Sequence, residues 1–249
     1  MRVSALLLAS FMTTGLVVHA DDAAKAIVEK SVKAAGWDKR KSDNQTWKDK
    51  GKFTMPGAPE SFPYEGEFHV SYPDKYRFSL TVKAGGQEIA MTATLNGDKG
   101  WEKANGQVRE LKDEKLAYLK DEVYAMYVCS LKPLLDDKGG FELKAIDDAK
   151  VDGKKCVGIS IAKKDRPTIK LYFNAETNLL AKLEYPVKNE FDNWKEATDE
   201  MFIGEWADED GHKVFKKMKV TRNGKTMIEA EMSDYKSPDK VDPAVYEKP

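Results

Sequence analysis

Apolar and polar residues alternate along residues 62–72. Phe62, Tyr64, Phe68, Val70 and Tyr72 hold the even positions, interrupted only by Gly66, and Glu65, Glu67, His69 and Ser71 fill the odd ones. A period of two sends one set of side chains to each face of a β-strand. The next segment repeats the pattern with Tyr76, Phe78, Leu80 and Val82 against Arg77, Ser79 and Thr81. A third follows with Ile89, Met91, Ala93 and Leu95 against Glu88, Thr92 and Thr94. Three consecutive strands of this kind make a sheet with one face of large apolar side chains and one polar face.

The rest of the chain divides in the same way. Ala24, Ile27, Val28, Val32 and Ala35 follow helical spacing and predict an amphipathic helix over 22–35, with Gly36 as its C-terminal cap. Residues 46–54 read as a strand. Turn residues at 72–75 and 84–86, and the Asn-Gly pairs at 96–97 and 105–106, delimit the three alternating strands, a short strand around Trp101 and another over 107–111. Asp113 is a candidate N-cap for a long helix over 114–134, with Leu119, Val123, Met126 and Tyr127 on one face, extended by Leu116, Leu131 and Leu134. Strands return at 141–146, 155–162, 168–174 and 179–185. A loop or short helix is expected at 192–197, then a meander of 201–206, 213–222 and 226–234, and an extended, proline-punctuated tail over 237–249.

Eleven or twelve strands in an open sheet would span more than about 50 Å at about 4.8 Å per strand, and sheets of that width curl or split. Two helices, each about 10 Å across, cannot cover such a face lying flat. The expected fold is therefore mainly β (α+β): a strongly curved antiparallel sheet forming an unclosed half-barrel, with helices plugging the concave face. A two-sheet sandwich with the helices at one end is the alternative. Where a helical lid and a curved apolar wall fit imperfectly, a hydrophobic cavity remains; the same stripes also describe an ordinary packed core.

The N-terminus changes the picture. Arg2, the apolar runs 5–8 and 11–18, and the sequence Val-His-Ala at 18–20 ahead of Asp21 and Asp22 have the form of a secretory signal peptide over residues 1–20. This leaves one domain, 21–249, expected in the periplasm or outside the cell. Without its leader the chain keeps 42 acidic side chains and loses one of its 41 basic ones. The two signs are interspersed, which points away from nucleic acid and anionic membranes as partners. No later run approaches the roughly 20 apolar residues of a membrane helix, so an integral membrane protein is not expected. Cys129 and Cys156 would lie in an oxidising compartment, where a disulfide pinning helix to sheet and two buried thiols are both open readings.

Catalytic chemistry finds little support. His69 and His212 have no histidine or cysteine partner at ligand spacing, and neither a nucleophile elbow nor a phosphate-binding glycine loop occurs. The acidic pairs 136–137 and 147–148 and the run 208–210 lack the spacing of a calcium loop and read as solvated turns. No cofactor and no metal is expected.

Several phrases in order carry a family resemblance. They are the first helix ending in Ala-Ala-Gly, Tyr-Pro-Asp-Lys-Tyr-Arg at 72–77, Leu-Asn-Gly-Asp-Lys-Gly-Trp at 95–101, Lys-Leu-Tyr-Phe-Asn at 170–174 with Glu-Thr-Asn-Leu-Leu at 176–180, and Val-Asp-Pro-Ala-Val-Tyr at 241–246. After a signal peptide this series resembles the LolA-like outer-membrane lipoprotein-sorting family over nearly the whole mature chain. The resemblance implies a non-enzymatic periplasmic carrier for an acyl chain or a lipoprotein. An acyl chain leaves a membrane only where an apolar wall replaces its lipid contacts, at roughly 0.8 kcal/mol per CH₂. The candidate wall is Phe68, Val70, Phe78, Leu80, Met91 and Trp101, with Met126 and Tyr127 contributed by the lid. Two features depart from the pattern: no arginine is identified that would latch the lid as in the sorting carriers, and the lid helix is rich in lysine and acid. An envelope sensor or protein-interaction scaffold of the same fold, with an envelope protein as partner, is the first alternative. A carboxylate-based hydrolase is the second.

Overall fold

The structure, a computed structural model, describes residues 20–40, 42–58 and 60–249. The expected signal peptide lies outside these residues except for Ala20, where the first helix begins. Helix α1 (Ala20–Ala35) is followed by a six-stranded meander: β1 (Asn44–Phe53), β2 (Phe62–Ser71), β3 (Lys75–Ala84), β4 (Gln87–Asn96), β5 (Lys99–Ala104) and β6 (Gln107–Leu111). Helix α2 (Asp113–Cys129) and a 3-10 turn (Lys132–Leu135) lead into β7 (Glu142–Val151), β8 (Lys154–Ala162), β9 (Ile169–Asn174), β10 (Leu180–Asn189) and β11 (Lys195–Ile203). A hairpin of β12 (Trp206–Glu209) and β13 (His212–Phe215) precedes β14 (Lys217–Arg222) and β15 (Lys225–Lys236).

Thirteen of these strands form one antiparallel sheet in the order β6-β5-β4-β3-β2-β1-β15-β14-β11-β10-β9-β8-β7. The first and last strands of the chain, β1 and β15, join its two meanders. The sheet does not close, since β6 and β7 end it on either side. It is the unclosed half-barrel, and a sandwich of two sheets is ruled out. The helices pack on the concave face. Ala24, Val28 and Val32 of α1 and Tyr124, Ala125 and Val128 of α2 share one core with Ile159, Ile161, Leu171 and Phe173. A second core, on β2 to β6, takes the other flank of α2 through Leu119 and Val123. On the convex face the C-terminal 3-10 turn (Pro243–Tyr246) packs on β3 and β4. There the hydroxyls of Tyr246 and Ser71 are 2.8 Å apart, and Arg77 donates to the carbonyl of Val245.

The structure corrects several boundaries. Helix α2 stops at Cys129 rather than 134 because Pro133 has no N–H and its ring would meet the carbonyl of Cys129. Asp113 is not the N-cap: Lys112 is, without a side-chain cap bond. The strand expected at 201–206 begins earlier, at Lys195, and ends at Ile203, so it takes in the end of the loop or short helix expected at 192–197. Strand β7 runs on through Asp147 and Asp148, which sit in a bulge between Ile146 and Ala149 rather than in a turn. The expected strand 213–222 is divided at Lys216, because β12 and β13 peel away to cover α1. Trp37 donates its ring N–H to the carbonyl of Lys213, and its ring lies 6.1 Å from that of Trp206. The cysteines are free. The period of two along β8 turns Cys156 away from Val157, Ile159 and Ile161 into a convex-face cluster with Tyr172, so it cannot reach Cys129 on the helix side. Burial pushes the Cys129 thiol up to about 12.

Candidate functional site

Side chains on the concave face of the N-terminal meander stand in rows, because residues paired across antiparallel strands point the same way. The first row is Gln45, Val70, Tyr76, Leu95, Gly100 and Leu111. The second is Trp47, Phe68, Phe78 and Ala93, the third Asp49, Gly66, Leu80 and Met91, and the fourth Gly51, Tyr64, Val82 and Ile89. The first two rows meet α2 in the second core, whose members include Leu119, Val123, Leu116 and Met126. The rings of Trp47 and Phe68 stack at 5.0 Å, and Phe78 lies within 6.3 Å of Phe68. The third and fourth rows reach the β3–β4 hairpin and lose their cover: Leu80 and Val82 are half-buried, and Ile89 and Met91 are each 37% exposed. Phe191, 46% exposed in the β10–β11 loop, leans toward Phe53 of β1 at 6.5 Å. The concave face therefore has a helix-covered part and an open apolar end.

The expected wall residues divide accordingly. Phe68, Val70, Phe78 and Met126 come together under α2. Leu80 and Met91 lie in the open end. Tyr127 stands at the other flank of the helix between Tyr72 and Phe141, at 5.6 and 6.3 Å. Trp101 is a correction. It pairs with Thr94, which alternates with the concave Leu95, so its ring is on the convex face. The strand around it was expected, but its parity could not be read without the register.

Three buried polar side chains on the concave side, Arg222, Asp199 and Asp49, and the half-buried Glu122 escaped the sequence reading. Arg222 and Asp199, with side chains 8% and 5% exposed, form a bidentate ion pair at 2.7 and 2.8 Å. Arg222 also donates to Asn189 and to the hydroxyl of Tyr118 on α2 at 3.1 Å, tying helix to sheet floor. Glu122, on the same helix, faces this pair. Burial and the charge of Asp199 push its carboxyl up to about 7, against the pull of Arg222. Asp49 is 3% exposed; Tyr64 donates to its Oδ2 at 3.2 Å, while its Oδ1 has no partner. Burial pushes Asp49 up to about 6. Asp49 shares the parity of Trp47 and Phe53 in β1, so a strict alternation test would have flagged it. Glu122 follows Leu119 by three on the buried side of α2. Nothing in the sequence distinguishes Arg222, next to an Asn-Gly turn, from a surface arginine.

These two acids carry the largest upward carboxyl shifts among the described residues. A carboxyl raised in the folded state binds its proton more tightly there than in the unfolded chain, so stability falls as pH rises from about 4 to about 7. The unfolding free energy read from urea titrations is expected to be higher at about pH 5 than at about pH 8, by on the order of a few kcal/mol. Asp49→Asn and Glu122→Gln should each flatten that slope; an unchanged slope in both would place the titration elsewhere.

No group of three histidine, cysteine or acidic side chains among the described residues could hold a metal ion. A depression of about 670 Å³ spans β1, β14 and β15 on the side away from the helices, bordered by Lys50, Lys52, Lys217, Lys219, Glu229 and Glu231. Its alternating charges, with Lys50 and Glu231 3.9 Å apart, do not suit an alkyl chain. No helix among the described residues is long and apolar enough to cross a membrane.

No family model and no curated protein matches the chain. Solved structures do. A LolA superfamily protein from Nitrosomonas europaea superposes with a TM-score of 0.58 at 11% identity, over 90% of this chain and 97% of that one. A DUF1329 family protein from Desulfovibrio piger gives 0.55 at 14% identity, over 90% and 97%. A domain described as an outer membrane lipoprotein-sorting protein from Vibrio parahaemolyticus gives 0.52 at 9% identity, over 89% and 97%. The chain has the LolA-like fold.

Proposed function

We propose that this LolA-like chain, as one domain over 21–249 after removal of residues 1–20, is a periplasmic, non-enzymatic carrier that holds an acyl chain, free or on a lipoprotein, against its concave face. The observation that carries the reading is the uncovered end of that face, where Leu80, Val82, Ile89 and Met91 continue the apolar floor beyond α2. Phe68, Phe78 and Met126 would extend the contact inward if α2 lifts, and Met91 and Met126 adapt their shape to variable chains. A hydrolase fits less well. Of the acids facing one another here, Asp199 has both oxygens bound by Arg222 and is not free to attack.

Organic extraction of gently purified protein, followed by mass spectrometry, is expected to release a reproducible acyl lipid. The double variant Ile89→Ser/Met91→Ser should bind such a chain at least about tenfold more weakly, because it removes two apolar side chains from the contact. Its stability should change by less than about 1 kcal/mol, since both residues are already more than a third exposed. Absence of lipid together with unchanged binding of added lipid by the variant would sink the carrier and favour a protein-interaction role.

A further inference from the structure

An alkyl chain alone does not account for Asp49. A buried carboxylate with an unpartnered oxygen is an expensive neighbour for methylenes. Asp49 nevertheless lies in the same row as Leu80 and Met91, on the floor of the open end. Gly66 between them contributes no side chain, and Asp49 Oδ1, Phe68 Cε2 and Leu80 Cδ2 converge over it, 2.5 to 2.7 Å from where a Cβ would be. Half-buried Leu80 stands in the row between this oxygen and the exposed Met91. Around the carboxylate stand the stacked rings of Trp47 and Phe68 and the phenol of Tyr64. Glu122 on α2 is a second acid whose charge, like that of Asp49, raises the hydroxyl of Tyr76. The base near Glu122, Arg222, already makes four hydrogen bonds to Asp199, Asn189 and Tyr118. Among the described residues, no basic side chain pairs with Asp49, whose one hydrogen-bond partner is Tyr64.

We propose that the open end of the concave face takes a cationic amphiphile, an ammonium group on an alkyl chain. Asp49 receives the cation, and the chain lies across Leu80 and Met91 toward β4. A carboxylate gains a charge-assisted hydrogen bond from an ammonium. A fatty acid would bring a third negative charge to Asp49 and Glu122. From β1 to β4 the row crosses three strand spacings, about 14 Å, enough to lay out a medium-length chain. This inference rests on the reading that the concave face binds alkyl chains, and the two can fail separately.

The test is calorimetric titration at about pH 8, where both acids are mainly ionised, with dodecylamine, dodecanol and dodecanoate below their aggregation limits. Dodecylamine is expected to bind at least about tenfold more tightly than dodecanol, and dodecanoate more weakly than either. Asp49→Asn should bring the amine down to the alcohol's affinity, and Glu122→Gln should remove a smaller part of the difference. Urea unfolding of each variant verifies that it is folded. Lauroyl lysophosphatidylethanolamine, whose ammonium has a phosphate beside it, separates an aminophospholipid source from a free amine, the tighter of the two identifying it. If dodecanoate binds as tightly as dodecylamine, or the amine keeps its advantage in Asp49→Asn, the cationic preference is overturned while the carrier stands. If none of these chains binds, the carrier reading falls and takes this inference with it.

Discussion

Arg222→Ala is expected to destabilise the protein by about 3 to 5 kcal/mol, read from urea unfolding at neutral pH. The guanidinium and the carboxylate of Asp199 are both nearly inaccessible to solvent, and the pair is bidentate. Removing the cation leaves Asp199 charged and buried, with its desolvation no longer offset. Two further bonds go with it, to Asn189 and to Tyr118. The loss is therefore more than one ion pair, because the Tyr118 bond is a direct polar link between α2 and the strands beneath it. Tyr118→Phe, which removes that link alone, should cost about 1 kcal/mol. Arg222→Met combined with Asp199→Leu should regain most of the stability lost in Arg222→Ala, since a well-packed apolar pair can replace a buried ion pair. A cost below about 1 kcal/mol for Arg222→Ala, or no recovery in the double variant, would show that the pair is hydrated in solution.

The parts of the fold legible in the sequence are those in which local pattern and tertiary environment agree. Strands β2, β3 and β4 alternate cleanly because one face meets the helices and the other meets solvent or the C-terminal turn. Their boundaries fall where Tyr-Pro-Asp-Lys and Ala-Gly-Gly place the turns. The start of strand β11 was missed because its first residues, Lys-Glu-Ala-Thr-Asp-Glu, alternate around a buried Asp199 instead of an apolar side chain. Partner context overrides strand propensity there. The break at Lys216 was missed for a similar reason. Val214 and Phe215 are apolar enough to continue into β14, but β13 pairs with β12 in a second small sheet that packs on α1 and its following turn.

The site was legible to the extent that it depends on parity within a strand, and illegible where it depends on pairing between strands. Phe78 and Leu80 share a face by counting in twos along β3, and the apolar sets of β2 and β4, with Phe68 and Met91, are assigned to the same face because a sheet buries its apolar side. Trp101 is separated from them by a turn, and whether it continues their face is set by the register Leu95 to Gly100, which puts the glycine inward and the tryptophan outward. Asp49 and Glu122 break an apolar stripe. Such breaks are easily set aside as noise, although a buried acid must have a structural or functional reason to persist.

Gly51→Ala is expected to cost about 3 kcal/mol, at the upper end of what overpacking produces. Gly51 pairs with Ala230 across the seam between β1 and β15, which joins the two meanders into one sheet. A Cβ there would fall against the carbonyl oxygen of Glu229, well inside contact distance, and 2.9 Å from the Cα of Ala230. Both obstacles are backbone, so no rotamer change relieves them, and the strands must separate. The strain would then spread to Asp49 and Tyr64, which stand beside this seam at the open end of the concave face. The neighbouring Lys52→Ala, on an exposed side chain, should change stability by less than about 0.5 kcal/mol. Urea midpoints of the two variants compared with the parent protein test the close approach directly. If Gly51→Ala is as mild as Lys52→Ala, the two meanders are not held as tightly at this seam as the strand pairing requires.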